Sequence, residues 1–511
     1  MRPLASLAAL ALLSLTAGGA QSAPPRSAGI KDPDTKAWWQ IAEALSSDAM
    51  EGRDIGSPGH HRAALVVAAR FKSAGLKPAG DNCSYFQTFP VHESRVEKDG
   101  TSFAIWRGDR SATPLEFLHA ITVRPTDSLP ASLDAAITFR GYCAPGDLAN
   151  TKGTVVICFN SKRAGLPTAG QRVQAARNAG AAGIIQVDDP YFTIEPPRWP
   201  AAYARSVSIA GATEPVAADM PVMTLSAEAF KTVIAGSGQD ADSILKLGGA
   251  KQPLPAFDPP GRMKARFHLT KRDFTAENVL AVLPGRDPKL AAEHLVLSAH
   301  LDGYGYGEPV NGDGLYNGAL DDAAYVGTLI RFADKHKGKP LARSVLFAAF
   351  TGEEKGLLGA HWFVDHPTVP KASIVADVNL DQLRPLFPLE ILTELAVDDT
   401  TLGQTARQVA ASMGIRIQAD PEPERGLLQR ADHWPFMQSG IPGTGFIFGY
   451  VPGTEAERRY REWYQVRYHR PQDDLTQPMD FEAAGKFNRF FYKLAESVAD
   501  AEAKPGWTKP R

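Results

Sequence analysis

At 511 residues, with 44% hydrophobic and 22% charged side chains, the chain is long enough for two or more cores and has a globular composition. Its 55 Lys and Arg against 57 Asp and Glu leave a net charge of −2. No dense basic run accompanies that balance, which argues against nucleic-acid and membrane partners.

The chain opens with "MRPLASLAALALLSLTAGGAQSAPP", one Arg followed by a short apolar run and small residues. This pattern predicts a signal peptide over residues 1–23 and export, to the periplasm or as a secreted protein. The apolar run is short for a membrane anchor, and no Cys follows it to carry a lipid. Residues 24–110 open with a polar, Pro-bearing stretch. "SPGHHRAALVVAARFKSAGLKPAG" then predicts a helix entered at Ser57-Pro58 and stopped at Gly75. His60 and His61 lack metal-capable companions nearby and read as solvated surface.

Over residues 111–262 the character changes to short β-rich runs, "KGTVVICF", "AAGIIQVDD" and "MPVMTLS", around helical stretches, ending in the Pro-rich "KQPLPAFDPPG". Three cysteines, Cys83, Cys143 and Cys158, allow at most one internal disulfide in any of three pairings. Cys158 sits inside an apolar strand and reads most plainly as a buried free thiol; Cys143–Cys158 is the most local bridge.

From 263 to 511 strand and helix alternate: "ENVLAVL", "HLVLSAH", "SVLFAAFT", "ASIVADVNLD", "LEILTEL" and "TGFIF". Near-continuous apolar strands imply a sheet covered by helices on both faces, an α/β fold. The last helix carries Phe481, Phe487, Phe491, Leu494 and Val498 on one stripe, a docking face.

In α/β sheets, ligand groups collect at the carboxyl ends of strands. His300 and Asp302 lie at such an end, Asp321 and Asp322 where a Gly-rich loop enters a helix, Glu353 and Glu354 after "FAAFTG", Asp381 after "VADVNL", and His469 in "VRYHRPQDDL". Each has a plain structural reading alone. A strand-end Asp caps helices, a lone His packs in a core, and paired acids suit a helix N-terminus. Their order and shared strand-end location point instead to a metal site.

Five segments, "SAHLDGYG", "NGALDDAAYVG", "TGEEKGLLGA", "VNLDQ" and "YHRPQDDL", resemble the co-catalytic di-zinc exopeptidase family that includes secreted bacterial leucine aminopeptidases, glutamate carboxypeptidase and the transferrin receptor. "SDAMEGRDIGSPGHHRAALVVAARFKSAGLKPAGD" is similar to the N-terminal piece of that catalytic fold, and residues 111–262 to the protease-associated domain often inserted in it. The resemblance implies a three-layer αβα peptidase fold with a mixed sheet, built from residues 24–110 and 263–511, and an inserted smaller α/β domain. It implies two Zn²⁺ per chain, one held by His300, Asp321 and Asp381, the other by Asp321, Glu354 and His469, with Asp321 bridging. Imidazole and carboxylate suit zinc, and a shared carboxylate offsets repulsion between two cations. Asp302 can accept the second ring N–H of His300. Glu353, left free beside a metal-fixed neighbour, is the expected general base.

Departures from the family pattern are Asp322-Ala323-Ala324-Tyr325 in place of Asn-Ala-Ser-Gly, where Tyr325 questions the helix packing, and Ala431 with Gln429 in "QRADHWPF". Asp432 and His433 there shape the site or form a structural pair. The expected activity is an exported aminopeptidase acting on peptides. The alternatives are a carboxypeptidase, with Arg425 and Arg430 holding a substrate carboxylate, a receptor-like binding protein, and a single-zinc cyclase.

Overall fold

The computed structural model describes residues 26–509, apart from 109–110, 216–217 and 382. The expected signal peptide over 1–23 lies outside the described residues.

Apolar runs become strands where neighbours on both sides satisfy their main-chain polar groups. Strand His294–His300 lies between Ser344–Phe350 and Ile374–Leu380, parallel to both, with His300 opposite Phe350. Outward from Ile374–Leu380 come Gly443–Phe448, Ile391–Glu394 and Arg416–Gln418. Outward from Ser344–Phe350 come the antiparallel Leu269–Leu283, Phe86–Val96 and Ala204–Ile209. The sheet is therefore mixed, as expected.

Alternate residues of these strands face opposite helical layers. Leu295, Leu297, Val345 and Phe347 share a core with Trp38, Phe71, Phe332 and Phe491. Val296, Leu346 and Phe350 pack instead with Phe363 and Phe436. This is the three-layer αβα arrangement. The helix Pro58–Ser73 begins on Ser57, whose hydroxyl accepts the His60 N–H at 3.1 Å, and the chain turns away at Gly75 with φ +83°. His61 is exposed and bonds Glu277 at 2.6 Å, but His60 is buried, correcting its reading as surface. It lies on the inward face of this helix, which the two-residue notation "HH" cannot distinguish from the outward one. The last helix, Phe481–Asp500, docks Phe487, Phe491, Leu494 and Val498 as read, with Phe481 edge-on to Trp39.

A second sheet runs in the order Ser111–Leu115, Ser102–Arg107, Arg262–Arg266, Ser132–Arg140, Val155–Asn160, Gly183–Asp188, Val222–Leu225, Ile121–Val123. Its own core contains Ile137, Phe139, Ile157, Ile185 and Phe230. The sheet starts before residue 111 and ends after 262, while Ala204–Ile209, from within that range, crosses to edge the first sheet. Cys143 and Cys158 form a disulfide with Cα atoms 5.6 Å apart, and Cys83 is free and exposed. The reading of Cys158 as a free thiol is thereby corrected: the turn after Arg140 brings Cys143 back beside the strand.

Candidate active site

Three neighbouring parallel strands end on one side of the sheet. His300 is the last residue of the central strand, Asp381 follows Leu380, and Glu353 and Glu354 occupy the short turn Glu353–Lys355 after Ser344–Phe350. Asp321 and Asp322 lie in the wide helical turn Ala319–Ala323 that feeds helix Ala324–Lys335. His469 sits in the turn after helix Glu455–Val466, at φ +53°.

The fold brings these side chains together. His300 Nε2 lies 3.3 Å from Asp321 Oδ1 and 3.8 Å from Asp381 Oδ1. His469 Nε2 lies 3.4 Å from Asp321 Oδ2 and 3.1 Å from Glu354 Oε2. Asp321 thus turns one oxygen to each histidine. Asp322 joins His300 and Asp381 as a further metal-capable carboxylate, and its Oδ2 accepts the main-chain N–H of His300 at 3.1 Å.

The expected role of Asp302 needs correction. His300 Nδ1 lies 3.1 Å from the Asp302 main-chain oxygen but 3.7 Å from its carboxylate. That carboxylate instead accepts the main-chain N–H groups of Glu353 at 3.1 Å and Glu354 at 3.4 Å. Sequence spacing placed Asp302 beside His300 but could not show which donors from the neighbouring strand end would reach it first.

Several supporting residues escaped the sequence reading. Asp473 accepts the N–H groups of Leu320 and Asp321, each at 3.0 Å, fixing the turn that carries Asp321. Arg384 is fully buried, 3.5 Å from Asp321 Oδ2 and 4.4 Å over the Trp463 ring. Arg53, also fully buried, donates to the carbonyls of Leu45, Leu301, Asn317 and Gly318, tying the N-terminal segment to both site loops. Tyr304 Oη is 2.8 Å from His469 Nδ1. The only signal for Asp473 was its place in "RPQDDL"; Arg53 and Arg384 carried none.

Arg425 and Arg430 do not face outward to a substrate carboxylate. Arg425 is buried on the Tyr460 hydroxyl at 2.9 Å, and Arg430 bonds Glu195 at 2.8 Å and the Tyr468 hydroxyl at 3.1 Å. Asp432 and His433 are both buried beneath the site, and the Asp432 carboxylate makes no hydrogen bond among the described residues.

Burial and like charge dominate the electrostatics. Burial pushes the Glu353 carboxyl well above its ordinary range; Asp381, Glu354 and Asp432 reinforce this against His300. Glu354 is pushed up to about 8 by burial and then by Asp321. Burial also raises Asp432 and Asp322. For Asp321, burial opposes ionisation, but Arg384 and the two histidines hold it well below the usual carboxylate range. Burial, then Arg198, pushes His469 down to about 3, leaving its ring neutral. Burial opposes charging of the His300 imidazole, but the neighbouring carboxylates raise it well above its ordinary range, so a bound cation would have to displace protons from His300 and from the raised carboxyls. Two ligands on one tetrahedral zinc, each at about 2.0–2.1 Å, stand roughly 3.3 Å apart, and the 3.1–3.8 Å separations here fit that spacing.

Residues 278–495, which carry all five of these ligand-capable side chains, match the model described as Peptidase family M28. Over that stretch the chain is similar to this family. It is 25% identical over 319 residues to leupeptin-inactivating enzyme 1 of Streptomyces exfoliatus, covering 60% of this chain and 68% of that one. It is 23% identical over 380 residues to a probable leucine aminopeptidase 2 of Aspergillus oryzae, 71% of this chain and 66% of that one. Among solved structures, an aminopeptidase from Aneurinibacillus sp. strain AM-1 aligns with a TM-score of 0.62 at 15% identity, over 91% of this chain and 94% of the other. The M28 fold accommodates the unusual Tyr325 without disruption. The ring is buried edge-on to Phe487, and its hydroxyl donates to the Leu383 carbonyl at 3.2 Å.

Proposed function

We propose that this M28 peptidase is an exported aminopeptidase that works with two zinc ions. One zinc is assigned to His300, Asp321 and Asp381, and the other to Asp321, Glu354 and His469. The observation that carries the assignment is the split of Asp321, with Oδ1 3.3 Å from His300 and Oδ2 3.4 Å from His469. Beside each Nε2 stands one further carboxylate, Asp381 at 3.8 Å from His300 and Glu354 at 3.1 Å from His469, so the shared acid completes two donor sets.

Zinc bound there supplies Lewis-acid polarisation and eases the deprotonation of water. Glu353, held by its main-chain N–H on Asp302, takes that proton and returns it to the leaving amine. The raised affinity of its buried carboxyl for protons suits both halves of that transfer.

The direction of attack follows from the groups around the cleft. Carboxyl groups of Asp302, Asp322, Glu353 and Asp432 stand beside the proposed ligands Asp321, Glu354 and Asp381, and oxygen acceptors of this kind suit the N–H donors of a substrate α-amine rather than a carboxylate. Arg425 and Arg430, the candidates for holding a carboxylate, are engaged inside the protein. Export is supported by the apolar N-terminal run and by the Cys143–Cys158 disulfide, which suits an oxidising compartment. Among the described residues no helix is long and apolar enough to cross a membrane. The second sheet, with its own core, is assigned as a protease-associated domain.

Paired peptides test the direction. An acetylated N-terminus is expected to block hydrolysis, and an amidated C-terminus to change it little. Cleavage of the acetylated peptide with resistance of the amidated one would establish a carboxypeptidase instead.

A further inference from the structure

His469 is gripped from both sides by tyrosines that the second-sheet domain supports. On one side, Tyr304 Oη lies 2.8 Å from His469 Nδ1, with the two rings 4.7 Å apart. Tyr203, which leads from that domain into the first sheet's edge strand, packs 5.7 Å from the Tyr304 ring. The Lys355 ammonium, 4% exposed, lies 4.3 Å over Tyr304 and 5.2 Å over Tyr203. Lys355 is the residue after Glu354, so this stack also abuts the second donor of the same set.

On the other side, the Tyr468 ring lies 3.8 Å from that of His469. Arg198, from the same loop as Tyr203, stacks 4.2 Å over Tyr468. Glu195, its carboxylate 4% exposed, binds Arg198 at 3.4 Å and Arg430 at 2.8 Å, and Arg430 donates to the Tyr468 hydroxyl at 3.1 Å. A loop some 270 residues away in sequence therefore backs both walls around one imidazole. His300, by contrast, takes its supports from Asp302 and Asp322 within the catalytic sheet.

We infer that the loop over residues 195–203 positions His469, so that the second-sheet domain sets zinc affinity at the Asp321–Glu354–His469 site and leaves the His300 site unaffected. Glu195, Arg198 and Tyr203 act as positioning residues, through Tyr468 and Tyr304. An imidazole bound to metal through Nε2 carries its proton on Nδ1, and Tyr304 Oη then accepts that N–H. Partners of this kind fix ring orientation and tautomer, and their loss weakens metal binding roughly tenfold to a hundredfold. The inference rests on the two-zinc reading proposed above.

The experiment is a zinc titration of the metal-stripped full chain against a chromogenic chelator, in wild type and in Tyr304→Phe, Arg198→Ala and Arg198→Lys. Tyr304→Phe keeps the ring and removes only the hydroxyl, which keeps the fold intact; circular dichroism and Tm check this for every variant. Wild type is expected to bind two equivalents. Tyr304→Phe and Arg198→Ala are expected to weaken one equivalent about tenfold or more without moving the other, with partial recovery in Arg198→Lys. Two equivalents of unchanged affinity in folded Tyr304→Phe and Arg198→Ala would overturn the inference while leaving the two-zinc reading in place. Equal weakening of both equivalents would also overturn it, because the loop would then be a general scaffold. Failure of wild type to bind a second equivalent would overturn the two-zinc reading itself, and this inference with it.

Discussion

The Asp302 carboxylate accepts the main-chain N–H of Glu353 at 3.1 Å, linking the end of one parallel strand to the first acid after its neighbour. It also reaches the Glu354 N–H at 3.4 Å, so one buried side chain orients a proposed base and a proposed ligand together. Asp302→Asn is expected to lose one of these bonds, because an amide offers only one accepting atom. Hydrogen bonds to charged groups contribute about 1.5–3 kcal/mol, so kcat should fall roughly 10–100-fold with a lower Tm. A variant with wild-type kcat would remove Asp302 from this role.

The adjacent glutamates should separate cleanly. Glu353→Gln is expected to retain zinc and lose on the order of 10²–10⁴-fold in kcat, the usual contribution of a general base. Glu354→Gln should weaken zinc binding instead. Metal analysis and kinetics on the same preparations decide this, and the reverse pattern would exchange the two assignments.

Removing metal should abolish peptide hydrolysis, and adding zinc should restore it, with about two ions per active chain. Full activity in protein shown by elemental analysis to be metal-free would contradict the proposed chemistry.

Acid stability should depend on Glu195. Burial alone would raise its carboxyl, but Arg430, Lys162 and Arg198 reverse this and hold it well below the usual carboxylate range. A carboxyl with a depressed folded pKa stabilises the fold above its unfolded value, about 4.3, and that contribution is lost as pH falls toward the folded value. Urea midpoints at pH 7, 4 and 2 should therefore show Glu195→Gln less stable than wild type at pH 7, with the gap narrowing from pH 4 to pH 2. A gap that stays constant with pH would mean the ion pairs around Glu195 contribute nothing to stability.

Much of the catalytic sheet was legible in the sequence because its determinants are local. Unbroken apolar runs such as "SVLFAAF" specify strands covered on both faces, and an acid or histidine at the end of a run is placed by that run alone. His300, Glu353, Glu354 and Asp381 stood out that way, whereas the roles proposed for them and for Asp321 and His469 came from the resemblance of whole segments to a family; the helix from Ser57 to Gly75 was bounded by its own cap residues. What the tertiary structure alone decided is the pairing of polar side chains that lie far apart in the chain. Tyr304 and His469 are 165 residues apart, Glu195 and Arg430 are 235, and Arg53 and Gly318 are 265. Such pairs follow no period of 2 or 3.6 residues, so no pattern in the sequence marks them. The same distinction explains Cys143 with Cys158, the burial of His60 and the turn of Asp302 toward Glu353: each side chain was visible as a residue, but its partner was chosen by where the backbone of another element came to lie.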